Sequence, residues 1–141
     1  QFIFQDPSSA LNRSHSVGQI LDNVLLLHEP ELSLKERKKL ASELLQEVGL
    51  RASDVSKKPQ DFSGGQRQRV GIARALAANP KVLICDESVS ALDVSVQAQV
   101  LNLLNKIKIN RGLSMIFISH DPNVIRYMCD RVQQLPVSRK V

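Results

Sequence analysis

Residues 62–93, FSGGQRQRVGIARALAANPKVLICDESVSALD, constrain this chain more than any other stretch. They set a capped, glycine-rich helix start ahead of a short apolar strand that ends in two adjacent acids. Ser63 and Gln66 have capping-box spacing: the Gln66 N–H would donate to the Ser63 hydroxyl while the Gln66 side chain accepts from the Ser63 N–H. The remaining free N–H groups of that first turn carry the positive end of the helix dipole. Beside Gly64 and Gly65 they form a place for phosphate. Val70, Ala73, Leu76 and Ala77 recur at helical spacing and predict a helix from Gly64 to about Ala78, ended by Asn79-Pro80. Val82-Leu83-Ile84-Cys85 reads as a buried strand that delivers Asp86 and Glu87 at its carboxyl end, where open α/β sheets bind ligands.

The flanking sequence supplies the rest of an α/β domain. Ser16-x-x-Gln19 and Ser33-x-x-Glu36 are two further capping boxes, each opening an apolar helical segment. The first helix is expected from about Val17 to His28. The second runs from Leu34 to Val48, with Leu40, Leu44, Leu45 and Val48 on one face, and stops at Gly49. Lys57-Lys58-Pro59 reads as a loop. After the acids, Val96, Val100, Leu103, Leu104 and Ile107 line a helix that ends at Gly112 and is expected to cover a sheet face. Leu113 to Ile118 reads as a second buried strand with His120 just past its end, and Asp121-Pro122 opens a short helix to about Cys129. Strands alternating with helices imply a parallel crossover.

Composition narrows the class further. With 141 residues, 43% of them apolar, the chain suffices for one soluble domain. Its longest aliphatic runs, at 24–27 and 82–85, fall far short of the ~20 residues that cross a bilayer. Gln1 is not an initiator and no signal-peptide pattern follows it, so the chain reads as an excised piece. Cys85 and Cys129 have neither metal-ligand nor disulfide-framework spacing and read as core residues of a reducing compartment. The net charge of +5 is scattered among acids, as on an ordinary solvated surface, and no nucleic-acid partner is expected.

Together these motifs resemble the ATP-binding subunits of ABC transporters, in wording nearest to those of oligopeptide, dipeptide and nickel importers. Phe62 to Gln66 resembles the family signature, Val82 to Glu87 the Walker B strand, Ser90-Ala91-Leu92-Asp93 the D-loop, Ile118-Ser119-His120-Asp121 the switch histidine, and Phe4-Gln5-Asp6-Pro7 the Q-loop. The resemblance covers nearly all of residues 1–131. It implies a partial P-loop NTPase fold, with a parallel-sheet core and an inserted α-helical subdomain. The implied organisation is a Q-loop and helical subdomain over 1–60, the signature, Walker B, D-loop and switch-histidine part over 61–131, and a poorly matching tail over 132–141.

The implied cofactors are ATP and Mg²⁺. By resemblance, Asp86 holds Mg²⁺ through water, Glu87 acts as general base, Gln5 contacts metal and attacking water, and His120 contacts the γ-phosphate. Ser63, Gly64, Gly65 and Gln66 would close over ATP held by a second ATP-binding subunit, with Asp93 across the same interface. Asp93 also fits as the N-cap of the helix beginning at Val94. Transmembrane permease subunits are the other implied partners, met by the helical block at the cytoplasmic face of the cell membrane.

Four departures temper that picture. No G-x-x-x-x-G-K-[ST] pattern occurs, so the principal phosphate cradle is absent. The isolated chain is expected to be inactive, destabilised by unsatisfied strand edges and prone to associate. Ser88 stands where the family carries proline, and Pro122 where it carries an apolar residue. Gln133-Gln134-Leu135-Pro136 is a poor strand. Two alternatives follow: a catalytically silent helical module that docks a membrane partner, and a DNA-repair type of ABC ATPase. The second is disfavoured, because no heptads or paired cysteines interrupt the stretch between Gln5 and Ser63.

Overall fold

A computed structural model describes residues 1–135. Two of the capping boxes seen in the sequence open the helices of one block. Helix α2 (Val17–His28) starts where the Ser16 N–H donates to Gln19 Oε1 (2.8 Å), and α3 (Leu34–Glu47) where the Ser33 N–H donates to Glu36 Oε2 (2.8 Å). Val17, Ile20, Leu21 and Leu25 of α2 meet Ala41, Leu44 and Leu45 of α3 in the core. Each large side chain so buried contributes roughly 1.5–3 kcal/mol. Arg37 of α3 joins the two helices, donating to Asp22 Oδ1 and to the Leu32 carbonyl at 2.7 Å each. Gly49 and Gly112 end α3 and a later helix in left-handed conformations (φ 77° and 61°) that glycine adopts without a Cβ clash.

Lys57 and Lys58 form the expected loop, set between two 3₁₀ turns, Ala52–Ser56 and Pro59–Asp61, the second opened by Pro59; the Lys57 carbonyl accepts from the Val17 N–H at 2.8 Å. Asp54 caps the first turn and is held below the usual carboxylate range, chiefly by its hydrogen bond from Lys57. Periodicity cannot register such turns, because they are too short to repeat.

Before this block come strand β1 (Phe2–Ile3) and the four-residue helix α1 (Pro7–Ala10). After it, α4 (Gly64–Ala77) leads to β2 (Val82–Asp86), α5 (Val94–Arg111), β3 (Ser114–Ile118) and α6 (Pro122–Met128). The three strands form one parallel sheet in the order β1-β2-β3. Phe2, Ile84 and Ile116 share a register line, as do Ile3, Cys85 and Phe117. Among the described residues, no helix is long and apolar enough to cross a membrane.

One expectation about the sheet fails. Leu83 and Cys85 are fully buried, and burial pushes the Cys85 thiol up to about 12. Cys129 is only half-buried against the core and is not paired with it. The strands, however, are buried on one face only. Phe2 and Ile116 are each 53% exposed and Ile118 48%, with Val82 beside them on the same side. Parallel sheets ordinarily carry cover on both faces, and no described element covers this one. The sequence pattern of a doubly buried strand is present without its second layer. No strand occurs over residues 132–135, and Pro136 lies outside the described residues.

Candidate functional site

The site is assembled at the carboxyl ends of the three parallel strands. Gln5 follows Ile3 by two positions, Glu87 follows Cys85 by two, and Ile3 pairs with Cys85. His120 follows Ile118 by two, and Ile118 pairs with Asp86. Topology alone therefore brings Gln5, Asp86, Glu87 and His120 to one edge.

Within that edge Glu87 is the pivotal residue. It adopts φ 49°, uncommon outside glycine, while its N–H donates to the Ile118 carbonyl at 2.9 Å. The strand thus stays paired through its last residue and turns immediately afterwards. The turn is closed by the Ser90 N–H and hydroxyl, both donating to the Glu87 carbonyl (3.1 and 2.9 Å). Glu87 Oε1 accepts from the His120 N–H at 3.2 Å and lies 2.9 Å from His120 Nδ1. Its other oxygen, Oε2, is buried and has no protein partner.

His120 is 81% exposed. Its imidazole is raised above the ordinary 6.5, first by the hydrogen bond to Glu87, then by the charges of Glu87 and Asp121. A cleft of about 660 Å³ adjoins it, lined in part by Ile118, His120, Pro122, Ile125 and Arg126. Pro122 takes the first position of α6, where the missing N–H costs nothing, and Asp121 Oδ1 caps that helix by accepting from the Asn123 N–H at 2.8 Å. The family's apolar residue at this place is not required for the helix to start.

The glycine-rich helix start forms as read. The Ser63 N–H donates to Gln66 Oε1 (3.0 Å) and the Gln66 N–H to Ser63 Oγ (3.3 Å). Packing adds something the sequence did not offer. A Cβ built on Gly65 would lie 2.4 Å from Val96 Cγ1, so α5 packs directly against this glycine. Gly64 has more room, its nearest neighbour being Leu92 Cδ2 at 4.0 Å. The signature glycines thus rest on Leu92, just before Asp93, and on Val96, three residues after it. Asp93 stands at the N-cap of α5, but its side chain makes no capping hydrogen bond; only its carbonyl is used, accepting from the Gln97 N–H at 2.8 Å.

Sequence reasoning did not find the Glu87–His120 pair, the burial of Gln68, or the links from Arg69 to the Val48 carbonyl (2.9 Å) and from Arg111 to Glu47 (2.6 and 2.7 Å). The three contacts each join residues at least 20 positions apart, and no local spacing announces them or the burial of Gln68. No hydrogen bond joins Gln5 to Asp86, Glu87 or His120 among the described residues.

A family model described as ABC transporter matches residues 1–90, well over half of the chain. The chain belongs to that family. Gln5, Ser63 to Gln66, Asp86 and Glu87 fall within the matched stretch, whereas Asp93 and His120 lie beyond it. Among curated ABC relatives, the oligopeptide transport ATP-binding protein OppF of Haemophilus influenzae is 49% identical over 132 residues, covering 94% of this chain and 40% of its own length. OppF of Bacillus subtilis is 47% identical, over 94% of this chain and 43% of the relative. The chain therefore spans about two-fifths of the length of these curated relatives. In three dimensions it is similar to cbiO1 from Clostridium perfringens, described as part of the ABC transporter complex cbiONQ, with a TM-score of 0.81 and 30% identity over 92% of this chain and 50% of that one. It is also similar to a dimeric ATP-binding cassette in a post-hydrolysis state bound to ADP and Pi, with a TM-score of 0.74 and 33% identity over 90% of this chain and 54% of that one. The fold is that of an ABC ATPase cassette, as the motifs implied.

The residues present fit one part of a magnesium-nucleotide site and not the other. A buried carboxylate oxygen without a partner, at a sheet edge beside a second acid, suits a group that receives a proton from water. Among the described residues, no group of three or more His, Cys, Asp or Glu side chains is placed to hold a metal ion. A metal at Asp86 would need most of its ligands from elsewhere, phosphate oxygens included. The chain has no glycine-rich lysine loop to grip a triphosphate.

Proposed function

We propose that this chain is the hydrolytic and coupling portion of an ATP-driven subunit of an ABC transporter that imports peptides. The observation that carries this reading is Glu87, turned out of the strand at φ 49°, with Oε1 held by His120 and Oε2 unpartnered. Glu87 accepts a proton from water through Oε2. His120 fixes the orientation of that carboxylate and, being biased towards its charged form, presents a donor to the terminal phosphate. Asp86 would hold Mg²⁺ through water, with Gln5 reaching metal and water from the neighbouring strand. Bound Mg²⁺ would neutralise phosphate charge.

Ser63, Gly64, Gly65 and Gln66 would face nucleotide held by a second ATP-binding subunit, with Asp93 at the same interface. The relatives' printed names support peptide transport, and the dimeric cassette supports the two-subunit arrangement. We place the functional division near residue 60. The helical block before it offers a groove of about 600 Å³ between α2 and α3, lined in part by Ser16, Gly18, Gln19, Asp22 and Lys38, for a membrane-embedded permease at the cytoplasmic surface. The chain by itself would not turn over ATP.

The test is a chimera in which residues 1–141 replace their counterpart in the Haemophilus influenzae relative. The chimera is expected to hydrolyse ATP, and Glu87→Gln to slow it by about 10²-fold or more. A chimera that folds and binds ATP yet is indifferent to Glu87→Gln overturns the assignment.

A further inference from the structure

Two side chains of α4 hold the segment that carries Gln5 at both of its ends. Gln68 Nε2 donates to the Phe4 carbonyl at 3.4 Å, just before Gln5, and Arg74 Nη1 donates to the Ala10 carbonyl at 2.9 Å, at the end of α1. Between them, α4 faces Pro7 at Gly71, where a Cβ would meet Pro7 Cβ at 3.8 Å, an ordinary packing distance. Residues 68, 71 and 74 are three apart and form one stripe along the helix. The segment they hold contains a helix of only four residues, which has no stability of its own and takes its position from tertiary contacts.

Gln68 is poorly explained as a stabilising residue. It is 1% exposed, its single hydrogen bond is long, and its Oε1 is buried without a protein partner. A buried amide in that condition carries a desolvation cost that an apolar side chain of equal length does not. What Gln68 does accomplish is to fix the backbone next to Gln5.

We propose that Gln68 and Arg74 are positioning residues: they brace the Gln5 segment against α4, so that the helix start at Ser63 and Gln5 move as one rigid unit. The significance of that unit for catalysis rests on the functional reading above; its existence rests on geometry alone. Neither residue touches the reacting groups. Their effect is to keep the two ligand-facing elements in fixed relation, one at the start of α4 and one beside its flank.

The experiment is ¹⁵N relaxation on the full 141-residue chain without nucleotide. Amide order parameters of residues 5, 6 and 8–10, Pro7 having no N–H, are compared among the unaltered chain, Gln68→Met, Arg74→Met and Arg74→Lys. In the unaltered chain they should approach the rigid value of about 0.85, and in Gln68→Met and Arg74→Met they should fall to about 0.6 or below. The amides of α4 should stay near the rigid value in all four. Arg74→Lys, which keeps a donor, should recover most of the loss. The melting temperature of Gln68→Met should be unchanged or higher. Order parameters that stay high in both Met variants overturn the brace. So does a fall shared equally by α4, or a Gln68→Met chain that no longer folds, since either makes these residues simply structural. With no nucleotide present, the outcome does not depend on whether Gln5 acts in hydrolysis; the Glu87→Gln chimera tests that separately.

Discussion

Replacing Gly65 by alanine tests whether this glycine is kept for a ligand, for packing, or for both. The new Cβ would sit 2.4 Å from Val96 Cγ1, whereas carbon atoms in contact prefer roughly 3.5–4.0 Å. The gap must open by about 1 Å. Val96 cannot simply rotate away, because a β-branched side chain in a helix has one strongly preferred rotamer. The start of α4 must shift from α5, at the usual cost of overpacking, about 1–3 kcal/mol. Alanine's better helix propensity offsets at most ~1 kcal/mol of this, leaving a net loss of about 1–2 kcal/mol.

Gly64→Ala is the control at the adjacent position. Its Cβ would meet Leu92 Cδ2 at an ordinary 4.0 Å, so nothing opposes alanine's helix propensity and its stability should be unchanged or up to ~1 kcal/mol higher. Urea unfolding followed by circular dichroism should separate the two midpoints by roughly 0.5–1 M, at slopes of about 1–3 kcal/mol/M. Val96→Ala should remove the difference, with a coupling of at least about 1 kcal/mol in the double variant. Should Gly65→Ala and Gly64→Ala unfold at the same midpoint, packing against Val96 is not what requires the glycine, and the reasoning fails.

Two further outcomes follow from the site and the sheet. Glu87→Gln should lower the titration midpoint of His120 towards 6.5, read from its ring resonances by NMR, because Glu87 is the main cause of the raised value. The folded-state value lies above the unfolded one, so the pair's contribution to stability is full below about 6.5 and is lost as pH rises through the raised value; an unmoved midpoint in the variant would remove Glu87 as the cause. Ile116→Lys together with Ile118→Lys, on the uncovered sheet face, should reduce self-association in sedimentation experiments while changing stability by no more than about 0.5 kcal/mol per site, and association that persists unchanged would locate the sticky surface elsewhere.

Local chemistry was legible in the sequence wherever the relevant partners lie within one helical turn or one strand. The capping boxes at Ser16, Ser33 and Ser63, the stops at Gly49 and Gly112, and the emergence of Asp86 and Glu87 at a strand end all depend on neighbours a few residues away. The strands at 82–86 and 114–118 were legible as strands, but their burial was not. An apolar run reports what a residue prefers and not whether a second layer is there to cover it, so Ile116 and Ile118 read as core and stand half in solvent.

Tertiary structure alone decided the rest. That Glu87 takes a left-handed turn and meets His120, 33 positions away, follows from strand β3 ending beside β2. That Gly65 is filled by Val96, and that Gln68 and Arg74 reach back 64 positions to the Gln5 segment, follows from how α4 lies against α5 and β1. The chain's own order fixes which residues can act; the closeness of elements far apart along it fixes which of them act on one another. Caps and periodicities are short-range, whereas pairing across a parallel sheet and between packed helices depends on contacts that chain spacing does not encode.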